Sequence, residues 1–163
     1  MAKSTKKKTD RDERFRDIAR NRRATHEYEI LERYEAGLAL EGTEVKGLRE
    51  RGATIRDAYV QIRDGEAWLV GAHIADYINS GQAGHDVMRT RKLLLHRREI
   101  EKLARAVAEK GLTIVPLRMY FSKGLAKLEI GVGRGKSTYD KRRAIAERDA
   151  QRDAERAMRA ARR

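Results

Sequence analysis

The stretch Gly131-Val-Gly-Arg-Gly-Lys-Ser137 is the first candidate for chemistry, because glycines let backbone N–H groups approach an oxyanion and a following lysine adds charge. A nucleotide-cradling loop needs its first glycine at the position that Ile130 occupies, and no apolar helix or parallel-strand pattern follows. The segment therefore reads as a flexible exit from a last strand, freeing Arg134 and Lys136 to track phosphates. His26, His73, His85 and His96 never recur at metal-ligand spacing. His85-Asp86 could in principle join an acid–base pair, but surface or capping roles are the plainer reading. There is no Gly-x-Ser-x-Gly elbow. There is also no cysteine to act as nucleophile, thiolate ligand or disulfide. Nothing in the chain supports catalysis, and no cofactor or metal is expected. Glu35, Glu41 and Glu44 lie on or beside the first strands of a basic protein. A carboxylate facing RNA accepts from base amino groups or the 2′-OH; the alternative is an ion pair with a nearby arginine.

These groups need a scaffold, and the charge distribution outlines one. The 163 residues carry 38 Lys+Arg and 25 Asp+Glu, a net +13 that points to a polyanionic partner. Residues 1–23 hold 10 basic and 4 acidic side chains, residues 134–163 hold 11 and 5, and residues 24–133 hold 17 and 16. The middle is a nearly neutral globule between two cationic ends. The division expected is a basic N-terminal tail at 1–20, a folded body at 21–133 and a basic C-terminal tail at 134–163. Both ends lack the apolar side chains that offset chain ordering, and both are expected to be mobile until bound. No apolar run approaches the roughly 18 residues of a membrane span, and no secretory h-region follows the Lys-rich start. A cytoplasmic protein with no membrane partner is expected.

Alternation from Thr25 through Tyr28 and Ile30 to Leu38 and Leu40 predicts strand. Residues 43–51 predict a short helix stopped by Gly52. Ala58, Val60 and Ile62 alternate before Asp64-Gly65, and Ala67 and Leu69 after it, which is a hairpin signature. Residues 73–80 could continue as strand, and 81–91 read as an exposed loop. Ile100, Leu103, Ala104 and Val107 predict a helix, with His96 and Glu99 as a capping box and Gly111 as its stop. Residues 112–121 and 125–132 form a second hairpin, with Pro116 favouring an edge or a bulge. About six strands with local hairpins suggest a mainly β fold, an OB-fold-like antiparallel β-barrel with flanking helices. Beyond Asp140 helix propensity is high without a hydrophobic stripe, so the basic C-terminal tail is expected to be disordered or helical, spanning about 36 Å when fully helical.

Four segments carry a family resemblance. They are Asn21-Arg-Arg-Ala-Thr-His-Glu-Tyr28, Tyr34-Glu-Ala-Gly-Leu-Ala-Leu-Glu-Gly-Thr-Glu-Val-Lys46, Arg89-Thr-Arg-Lys-Leu-Leu-Leu95 and Gly135-Lys-Ser-Thr-Tyr-Asp-Lys-Arg142. In their order the chain resembles the SmpB family of bacterial SsrA-binding proteins; Val87 and Tyr139 stand where many members have Pro and His. The resemblance implies a protein that binds the tRNA-like domain of transfer-messenger RNA (tmRNA) and acts in trans-translation. Protein and RNA would enter a ribosome stalled without a stop codon, and the tail would occupy the decoding centre and the vacant mRNA channel of the small subunit. Asn21, His26, Glu35, Leu94 and Lys127 are similar to family positions on or supporting the RNA-binding face. Gly135, Lys136, Tyr139, Asp140, Lys141 and Arg142 match the segment associated with ribosome engagement. Elongation factor Tu and alanyl-tRNA synthetase are implied as partners of the RNA more than of this chain. The alternative is a general RNA-binding or ribosomal OB-fold protein.

Overall fold

The computed structural model describes residues 15–77 and 84–162. The seven-stranded sheet runs in the order β1 (Phe15–Arg20), β8 (Thr113–Ser122), β9 (Leu125–Gly135), β2 (Tyr28–Leu38), β7 (Arg91–Leu94), β5 (Glu66–Val70), β4 (Tyr59–Arg63). Every neighbouring pair in it is antiparallel. The sheet curls until β4 lies against β8 without pairing to it. A two-residue pair, β3 (Ala53–Thr54) with β6 (His73–Ile74), forms a separate ladder. The architecture is therefore mainly antiparallel β with flanking helices α1 (Arg22–Glu27), α2 (Gly42–Glu50), α3 (Arg97–Lys110) and α4 (Thr138–Ala161).

The elements with the clearest sequence signals form as expected. Asp64 (φ 53°) and Gly65 (φ 74°) make the β4–β5 turn, where positive φ matches the twist of the flanking strands. The α3 helix begins with the His96 N–H donating to the Glu99 carboxylate at 3.3 Å. It ends on Gly111 at φ 62°, the left-handed stop that a Cβ would disfavour. Leu103 of α3 is fully buried with Leu69, Leu93, Met119, Leu128 and Ile130. Burial of one such leucine stabilises the fold by about 1.5–3 kcal/mol. Pro116 sits where the β8–β9 register slips, so its missing N–H falls at a bulge.

Five sequence expectations change. Residues 25–27 belong to α1 rather than strand, because the Asn21 side chain accepts from the Ala24 N–H at 3.2 Å and starts a helical turn. Residues 15–20, expected in the mobile tail, instead form β1 on the edge of β8, with Ile18 and Ala19 packed on the core. Of residues 73–80, only His73–Ile74 is strand, and 78–80 lie outside the described residues. The segment read as an exposed loop contains buried His85 and ends in the fully buried Arg91 that opens β7. The glycine run is not a loose exit: β9 continues to Gly135, beyond the boundary expected after residue 133. A Cβ on Gly133 would stand 2.6 Å from the Glu29 carbonyl oxygen, so glycine there serves close packing of β2 on β9.

Candidate nucleic-acid interface

Three of the expected site residues converge on one cleft. Glu35 of β2, Leu94 of β7 and Lys127 of β9 line an opening between the sheet and the first turns of α3. Strand alternation explains why: Ala36, Leu128 and Leu93 point into the core, so their neighbours along each strand point out. Gly37 pairs with both Leu94 and Lys127, which brings the three strands into register at this level. Leu94 is 54% exposed, an apolar side chain that the fold itself leaves uncovered. Among the described residues Lys127 has no ion-pair partner.

The electrostatics of this face hold its carboxylates apart. Glu35 stands directly opposite Glu129 in the β2–β9 ladder, a like-charged pairing that would be unfavourable if left unanswered. Glu129 is taken by Arg33 at 2.9 Å and Arg118 at 3.6 Å. Glu35 instead accepts from the Tyr120 hydroxyl, whose ring lies 4.5 Å from the Arg118 guanidinium. Burial, with the Glu35 carboxylate second, pushes the Tyr120 hydroxyl up to about 12, so it stays a donor. That bond fixes the Glu35 side chain while leaving the residue exposed. The cleft thus presents an acceptor at Glu35, a donor at Lys127 and an apolar surface at Leu94. That set can read a base edge or a 2′-OH and pack against a sugar or base.

The other expected residues lie elsewhere. Asn21 is buried, and its amide is used within the protein, donating to the Pro116 carbonyl at 2.9 Å and more weakly to Ile55 at 3.4 Å. These bonds seat α1 on β8. His26, in the last turn of α1, faces the tail: Arg148 of α4 reaches its Nδ1 at 3.4 Å. Lys136 Nζ donates to the Thr25 carbonyl at 3.0 Å and its N–H to Glu27 at 2.8 Å, so the root of α4 is tied to α1. Gly135 closes the β9 ladder opposite Tyr28, and a Cβ there would meet open space. Tyr139, Asp140, Lys141 and Arg142 fall in the first turns of α4, with Arg142 exposed.

The sequence reading named Glu44 but not the arginines that answer it. Glu44 of α2 is fully buried and accepts from Arg91 Nε at 2.5 Å and from Arg89. Arg91 is itself fully buried and also donates to the carbonyls of Ala72, at 2.7 Å, and Val87, at 3.2 Å. Burial pushes the Glu44 carboxyl up, but the bonds from Arg89, the Glu41 N–H and Arg91 together hold it below the ordinary carboxylate range. Of the two readings open for Glu44, the arginine pair is the one the fold adopts. The signal was available: Arg89 and Arg91 are two apart, the spacing that puts both side chains on one side of an extended chain. Buried His85 is structural too, bridging Ile74 and Thr43 at 3.1 and 3.2 Å. Among the described residues no cluster of His, Asp and Glu could hold a metal ion.

Comparison with known proteins identifies the family. The model of the SmpB protein family matches residues 18–160. An SsrA-binding protein of Sulfurihydrogenibium sp. (strain YO3AOP1) is 52% identical over 141 residues, covering 86% of this chain and 93% of that one. One from Levilactobacillus brevis is 48% identical over 158 residues, covering 97% and 98%. A solved structure described as "tmRNA-SmpB: a journey to the center of the bacterial ribosome" superposes with a TM-score of 0.62 at 47% identity, over 75% of this chain and 86% of that one. The family is RNA-binding and not enzymatic. With a family model spanning α1 to α4 and half of the residues shared with these relatives, the chain belongs to the SmpB family.

Proposed function

We propose that this protein is an RNA-binding factor of trans-translation that binds the tRNA-like domain of tmRNA through the Glu35–Leu94–Lys127 cleft. It delivers that RNA to ribosomes stalled without a stop codon, and α4 then probes the decoding centre and the vacant mRNA channel of the small subunit. The observation that carries the reading is the convergence of those three side chains, from three different strands, on one open cleft. The relatives' names and the solved tmRNA complex supply the identity of the RNA. Asn21 acts through the seating of α1, and His26 with Lys136 through the root of the tail. Gly135, Tyr139, Asp140, Lys141 and Arg142 form the segment that meets the ribosome. Elongation factor Tu and alanyl-tRNA synthetase act on the same RNA rather than on this surface, and the setting is the cytoplasm.

The deciding measurement is competition of the tRNA-like domain against bulk tRNA at physiological salt. A dedicated reader retains the tRNA-like RNA under excess tRNA; equal displacement would make this a general RNA coat. Glu35→Ala sharpens the result, because it removes a negative charge. It weakens the specific complex if Glu35 reads the RNA, and strengthens it if binding is Coulombic alone.

A further inference from the structure

The outward face of α3 carries a row of cations that neither the cleft nor the tail uses. Arg98, Lys102 and Arg105 are spaced four and three apart, which stacks them along one side of the helix over roughly 10 Å. All three are exposed, opposite the side that buries Leu103. Among the described residues none of the three has an ion-pair or hydrogen-bond partner, whereas their neighbour Arg97 is answered by Glu101 at 3.5 Å. Like charges at this spacing repel, and Glu99, Glu101 and Glu109 on the same helix offset part of that repulsion. It lies beside the cleft: Arg97, Ile100, Glu101 and Ala104, on the adjoining flank of α3, form the cleft wall across from Glu35 and Lys127.

We propose that Arg98, Lys102 and Arg105 form a phosphate-binding rail for the RNA seated in the cleft, running along its sugar–phosphate backbone and fixing its orientation without reading its sequence. The chemistry matches: three unpaired cations on a rigid helix meet a regular array of anions, and two guanidiniums can each take a phosphate with two bonds. Continuity with the cleft assigns the rail to the cleft-bound RNA rather than to a second partner. The inference rests on the reading of the cleft as an RNA site, and it adds a division between base-reading and backbone-holding surfaces.

The test compares the full-length protein with its Arg98→Gln/Lys102→Gln/Arg105→Gln variant, measuring affinity for the isolated tRNA-like RNA across a salt series. The rail predicts a salt slope shallower by about 2 to 3 log units per log unit of salt, with the preference over bulk tRNA unchanged. An unchanged slope overturns the proposal. So does a change seen with purified small ribosomal subunits but absent with the tRNA-like RNA, which would reassign the row to the ribosome. If the triple variant folds poorly, Lys102→Gln alone carries the test with a slope change of about 1, and Arg98→Lys/Arg105→Lys must keep the slope. Loss of preference in the unmodified protein would defeat the proposed function; loss of the slope effect with preference intact would defeat the rail alone.

Discussion

In the barrel, Glu44 and Arg91 are withdrawn from water and bonded to each other, while along α4 every described residue from Ile145 to Arg162 is exposed. The two regions use the same residue types, arginine with Asp and Glu, to opposite ends. A buried pair penalises any rearrangement, because each charge depends on the other for its solvation. A fully exposed helix has no such constraint; its i, i+4 pairs, such as Arg143–Glu147 at 3.2 Å, contribute only tenths of a kcal/mol. The barrel is accordingly built to hold one shape. The tail, fastened at its root by Lys136 and Arg148, is free to be set by whatever it enters.

Removing residues 138–163 tests that contrast most severely. The cut spares the β9 ladder, so the barrel is expected to keep its melting temperature and its affinity for the tRNA-like RNA. Peptide tagging on stalled ribosomes should be abolished. Simultaneous loss of RNA binding would show that the two regions are not separable. Next in size is Glu44→Gln, which strands Arg91 without a carboxylate and should destabilise the barrel by about 3–5 kcal/mol, seen as an earlier urea midpoint. The same loss from a surface partner such as Glu147 would be within about 0.5 kcal/mol.

pH separates the regions as well. The Glu44 carboxyl is held low in the fold, so its contribution is present above the ordinary carboxylate pKa and is lost as pH falls through the folded value. Tyr34 and Tyr120 are both pushed up to about 12, chiefly by burial. Their contribution is present below the unfolded pKa of about 10 and is lost as pH rises toward the folded value. Thermal melts should therefore show an acid limb removed by Glu44→Gln and an alkaline limb reduced by Tyr120→Phe. An alkaline limb unchanged in both Tyr34→Phe and Tyr120→Phe would refute its assignment to these hydroxyls. The smallest effect is expected for Arg148→Gln. Stability should move by less than about 0.5 kcal/mol, while the distance distribution between spin labels on α1 and α4 should broaden as the His26 contact is lost.

Much of this was legible residue by residue where the signal was local. The Asp64-Gly65 turn and the capping and stop of α3 depend on side chains within a few positions of one another. The family resemblance marked Glu35, Leu94 and Lys127, although their meeting in one cleft depends on the pairing of β2 with both β7 and β9. Lys136 shows the opposite case. Its charge and its place after glycine suggested a phosphate contact, and the fold adds a second use that no local window shows: one of its three N–H donors goes to the Thr25 carbonyl, a partner 111 positions earlier.

The sequence alone determined that the net positive charge is concentrated at the ends, that no cysteine is present to act as nucleophile or thiolate ligand, and that two hairpins flank an amphipathic helix, since each follows from residue identity and short-range spacing. Only the tertiary structure decided which carboxylates are available to a ligand. Glu44 and Arg91 are 47 positions apart, and Glu35 and Tyr120 are 85 apart. Whether a charged group is free or answered depends on what chain folding brings beside it, and that proximity is not encoded in any short window.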